Sequence, residues 1–262
     1  MRNIVFIFFF LTSASFAQNE YKLIKTIETT ADYFTTDNQN NIYIVKADEL
    51  SKYDKTGKLL YKYSNKNLGT ITFVDASNML RVLLFYKDFS QIVYLDNTLS
   101  QNGEPINISL LNIYQAPLAC SSYDNGIWVY DQQTFSIFRY DKTLQNIRQT
   151  NLNGLANDSI IQPSGILEYD NKLYLNNPRS GIMIFDIYGT YSKTIPVKNA
   201  IRFQPIGDWV YYLFDKKVKA YNIKTTEEKE FEMPLSDFLN FRLEMGVLML
   251  QTEKSISLFS AE

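Results

Sequence analysis

The side chains able to do chemistry in this 262-residue chain are unevenly supplied: histidine is absent, and a single cysteine, Cys120, stands against 28 Asp and Glu and 26 Lys and Arg. Without histidine the chain lacks the usual general base near neutral pH, the Ser-His and Cys-His nucleophile pairs, and the commonest metal ligand. What remains is carboxylate chemistry, lysine chemistry or an oxygen-ligand cation site, each of which needs several groups to converge. Cys120 sits in "PLACSSY", a strand-like run, and reads as a small buried apolar residue rather than a reactive thiol. With no second cysteine there is no intramolecular disulfide. The formal net charge is −2 with both signs mixed along the chain, unlike the basic footprint of a nucleic-acid binder.

The elements that must position any site are strands. The chain has 19 Tyr and 18 Phe but ten Gly, and its aromatic and β-branched runs are broken by Asp, Asn and Gly turns. The stretch "TTDNQNNIYIVKADELSKYDKTGKLLYKYS" (35–64) holds a turn, an apolar strand, a second turn and two further strands, and the chain repeats that outline six times. The apolar second strands are "NIYIV", "LRVLLFY", "IWVY", "LYL", "WVYYLF" and "VLML". The third strands end at Tyr53-Asp54, Leu95-Asp96, Tyr140-Asp141, Phe185-Asp186, Tyr221-Asn222 and Phe259-Ser260, at intervals of 42, 45, 45, 36 and 38 residues. A period of about forty residues marks propeller blades.

Five copies continue into a fourth strand: "KLLYKYS", "PINISLL", "IRQTNL", "YSKTIPV" and "EEKEFEM". The sixth is expected to take its fourth strand from "YKLIKTIET" (21–29), closing the ring and removing two edges. The second strands are apolar on both faces and must be covered on both, which blades packed around an axis achieve. Trp128 and Trp209 lie in such strands and are assigned to the inter-blade core. The expected fold is therefore an all-β, six-bladed propeller of four-stranded antiparallel blades, one domain over 18–262. Residues 1–17, "MRNIVFIFFFLTSASFA", read as a signal peptide cut before Gln18, because the apolar run is too short to span a bilayer. No lipid-anchor cysteine follows, so the mature chain is expected to be periplasmic or secreted, without a membrane span.

The unit "NNIYIVKADELSKYDKTGKLLYKY" resembles the NHL-type repeat, in which a "D-x-x-G-N-I-Y-V" hairpin precedes "I-x-K-F-D-x-x-G-K" and an outer strand. The likeness continues in "DNGIWVYDQQTFSIFRYDKTLQ" and thins to a pattern of turns and strands in the last two copies; the YWTD, WD40 and kelch signatures are absent. The resemblance implies an exported, six-bladed propeller of the bacterial-envelope type.

In such a ring, the connections from fourth to first strands share a face with the turns from second to third strands, and that face is free to vary. The long connections 97–117 and 150–164, with the turns 130–134 and 176–181, bring Asp131, Gln132, Asn157, Asp158, Asn177 and Arg179 into one sector beside Ile113 and Tyr114. They are candidate contacts for a partner, or else a solvated rim. Asp32, Arg202 and Asp237 fall at the channel mouth. A hard cation there would want six to eight oxygen ligands, and Arg202 would repel it, so the three read as charge-neutralising packing, with no metal or cofactor expected. Two functions follow: an exported protein-interaction module, for instance a subunit of outer-membrane secretion or assembly machinery, or a small-molecule or glycan binder or lactonase-like hydrolase using channel-mouth carboxylates.

Overall fold

A computed structural model of the chain describes residues 21–155 and 161–261. The strands are β1 (Tyr21–Glu28), then β2 (Tyr33–Thr36), β3 (Ile42–Lys46), β4 (Glu49–Tyr53) and β5 (Leu59–Ser64) in the first blade, and β6 (Phe73–Asp75), β7 (Val82–Tyr86), β8 (Gln91–Leu95) and β9 (Ile106–Asn107) in the second. The third blade holds β10 (Leu118–Ser121), β11 (Ile127–Asp131), β12 (Ser136–Tyr140) and β13 (Asn146–Asn151), and the fourth β14 (Gly165–Tyr169), β15 (Lys172–Asn177), β16 (Gly181–Asp186) and β17 (Tyr191–Ile195). The fifth holds β18 (Arg202–Ile206), β19 (Trp209–Phe214), β20 (Lys217–Asn222) and β21 (Glu228–Phe231), and the sixth β22 (Asn240–Glu244), β23 (Val247–Gln251) and β24 (Ser255–Ala261). They form six four-stranded sheets, every pair antiparallel, the last in the order β1-β24-β23-β22. The ring closes through β1, from Tyr21 opposite Ala261 to Glu28 opposite Ser255, as the leftover run at 21–29 required. Among the described residues no helix is long and apolar enough to cross a membrane.

The core is divided into six apolar clusters, one at each blade junction. Along β7, Val82, Leu84 and Tyr86 face the first blade and pack with Tyr43, Val45 and Leu50, while Leu83 and Phe85 face the third and pack with Ala119, Ile127 and Val129. This two-sided burial is why the second strands are apolar without alternation. Buried side chains of this size contribute roughly 1.5–3 kcal/mol each, and the junction of the last and first blades carries its share in Ile27, Phe34, Ile42, Met249 and Leu258. Cys120 lies in the cluster between the third and fourth blades with Trp128 and Tyr130, and burial pushes its thiol pKa well up.

Trp209 departs from expectation. It is half-buried at the first position of β19, with the Lys229 ammonium 4.6 Å from its ring, because a residue beside the turn reaches the blade's edge rather than the junction. The second blade's outer strand is also shorter than "PINISLL" suggested. It stops after two residues, where the Asn107 carboxamide accepts from the Ser109 N–H and starts a 3-10 turn over Ile108–Leu111.

The Asp that ends the third strand in the first four blades, and Asn222 in the fifth, explain the sharp turn into the outer strand. Asp54 Oδ1 accepts from the Thr56 N–H and hydroxyl and the Lys58 N–H; Asp96 and Asp141 repeat this with Thr98 and Ser100, and with Thr143 and Gln145. Asp186 and Asn222 cap the following two turns through backbone N–H groups alone.

Candidate functional site

Two regions have the makings of a site: the face carrying the second-to-third turns, called the upper face, and the channel. On the upper face the segment after β9 is pinned at several points. The Ile108 N–H donates to Ser90 O at 2.8 Å, the Gln132 N–H to Gln115 O at 2.8 Å, and the Tyr140 hydroxyl to Leu111 O at 3.2 Å. Ile108 and Ile113 are buried beneath it. With its backbone held, the segment presents Leu110, 80% exposed, and Tyr114, 65% exposed. The turns that it bonds carry Phe89, 55% exposed, and Phe135, 37% exposed at φ 51°. A bulky residue in the left-handed region carries a backbone cost. Phe89 itself leans over Gly69, where an added Cβ would come within 3.1 Å of its ring.

The sequence-derived candidates divide. Asp131, 3% exposed, ends β11 and accepts from the Gln133 and Thr134 N–H groups and the Thr134 hydroxyl. Asn177, fully buried, ends β15 and holds Gln162 N and Ser180 Oγ. Both are turn caps, so an alanine at either tests folding rather than contact. Gln132, Arg179 and Tyr114 are exposed on the upper face, while Asn157 and Asp158 lie outside the described residues. Leu110, Phe89 and Phe135 are additions; in a chain this rich in aromatics, sequence does not distinguish a displayed ring from a packed one.

The channel encloses a cavity of about 470 Å³ lined by the inner strands. At its lower end, Glu244 Oε1 accepts from Arg242 Nη2 at 2.8 Å and from Thr36 and Gln204 at 2.9 Å each. Burial lowers the Arg242 pKa, with Glu244 pulling the other way. Asp75 accepts from the Ser77 and Ser121 N–H groups; Glu168 accepts from the Ser122 hydroxyl, the Trp128 indole at 2.6 Å and the Tyr123 N–H. Asp37 is closed inside its own turn by Gln39, Asn41 and Tyr43. These carboxylates act as fasteners within and between blades, and among the described residues no three of His, Cys, Asp and Glu converge to hold a metal ion.

At the upper mouth the expected triad does not assemble. Asp32 Oδ2 accepts from the Ala47 N–H at 2.7 Å, Asp237 is exposed, and neither pairs with Arg202. The Arg202 guanidinium lies instead 5.6 Å from the centre of the Tyr33 ring. Arg202 is exposed to the channel water, and partial loss of that water lowers its pKa.

No protein-family model matches the chain, and no curated protein matches it in sequence. Solved structures do. A catalytically inactive virginiamycin B lyase from Staphylococcus aureus with quinupristin is 14% identical, with a TM-score of 0.61 over 92% of this chain and 99% of that one. BamB from Moraxella catarrhalis is 12% identical, with a TM-score of 0.55 over 92% and 100%. A BBS1 fragment in complex with an ARL6 fragment is 11% identical, with a TM-score of 0.57 over 87% and 77%. At such identities the likeness is one of fold: this chain is a β-propeller, built on a scaffold shared by a lyase and by a protein captured with its partner.

Proposed function

We propose that the chain is an exported protein-interaction module whose working surface is the upper face of the second and third blades. The observation that carries the reading is the display of Leu110, Tyr114, Phe89 and Phe135 on backbone that hydrogen bonds hold in place. Apolar groups presented in this way are costly to leave in water and mark contact surfaces. The carboxylates of the channel are meanwhile committed to structure, which leaves a hydrolase without an evident acid and base. The leader-like residues 1–17 and the NHL-like first copy support an envelope location, and a subunit of outer-membrane secretion or assembly machinery is the specific form we favour.

Replacing Leu110 and Tyr114 together with Ser tests this. Both side chains are largely exposed, so melting should be unchanged, while capture of the envelope partner should weaken by about tenfold or more. Undiminished capture by the folded double variant rejects this surface.

A further inference from the structure

We infer that the upper half of the channel is a binding site for a small organic anion, a carboxylate or phosphate on an apolar body, its anionic head held by Arg202. The site is separate from the interaction surface and does not depend on it.

Charge is distributed unevenly along the cavity. Its lower end holds Asp37, Asp75, Glu168 and Glu244 against Arg242, all engaged in hydrogen bonds. Its upper end holds Arg202, whose guanidinium makes no hydrogen bond or ion pair among the described residues. The nearby carboxylate Asp32 is turned away to cap the Ala47 N–H. Arg202 faces the cavity with its charge unpaired, and an incoming anion supplies the missing partner through charge-assisted hydrogen bonds. The Tyr33 ring beneath it holds the fork in place without neutralising it.

The rest of the cavity fits the other half of such a ligand. Phe73, Leu118, Ile166, Ile201 and Phe203 line the wall, and about 470 Å³ lies within the range of small-molecule sites. The carboxylates at the far end would repel an anionic head, so the ligand enters in one orientation, head at Arg202 and apolar body down the channel.

Calorimetric titration of the purified chain with hydrocinnamate, phenyl phosphate and neutral hydrocinnamamide tests the proposal. At least one anionic probe should bind saturably, one per chain, about tenfold or more tighter than the amide; the tighter of the two names the head group. Arg202→Gln should erase that preference without unfolding the chain, since Arg202 holds no ion pair that folding would lose. Arg202→Lys should keep part of the preference. Equal binding of anion and amide, no saturable anion binding, or a preference that survives Arg202→Gln would overturn the assignment.

Discussion

At the scale of single residues, polar side chains in this protein are mainly structural, and the turn aspartates show it best. The Thr56, Thr98 and Thr143 hydroxyls donate to Asp54, Asp96 and Asp141 and lower each carboxyl pKa below its ordinary value. A depressed folded-state pKa contributes stability above the unfolded value of about 4, and that stability is lost as pH falls through the folded values. Replacing the three threonines with Val should therefore lower the melting temperature near neutrality, and the gap from the natural chain should narrow as pH drops below about 4. A gap independent of pH would show that the hydroxyls act by some other route. The recurrence of these aspartates was legible in the sequence because a one-residue cap repeats with the blade. Asp131 and Asn177 were misread as contacts for the same reason: a turn cap and a ligand-binding residue draw on the same residue types, and only burial separates them.

At the scale of elements, the second strands announced themselves by unbroken apolar runs, and β1 by being a strand with no blade of its own. The outer strand β9 was overestimated because an Asx cap at Asn107 overrides a run of β-forming residues. The closing strand also has two unlike faces. Ile27, 6% exposed, packs against Phe34, Ile42 and Met249, whereas Leu23, 55% exposed, faces water. Ile27→Ala should cost about 2–4 kcal/mol in denaturant unfolding, and Leu23→Ala less than about 0.5 kcal/mol. Equal costs would mean that β1 does not seal the ring through its inner face.

At the scale of the molecule, six apolar junctions make a rigid ring whose function has to be sought where the copies diverge. The sector between the second and third blades is such a place. Its location was legible from the length of the 97–117 connection, but its chemistry was not, because which of many aromatic residues stay exposed depends on the pinning of the backbone at Ser90, Gln115 and Leu111. The opposite face offers a matched comparison in Met245, 77% exposed on the turn between β22 and β23. The most direct measurement is site-specific photo-cross-linking in cells that make the protein, with a photoreactive residue in place of Tyr114 or of Met245. A working surface on the second and third blades implies one discrete protein adduct from position 114 and none from position 245. An adduct from position 245 alone, or from neither, would contradict it.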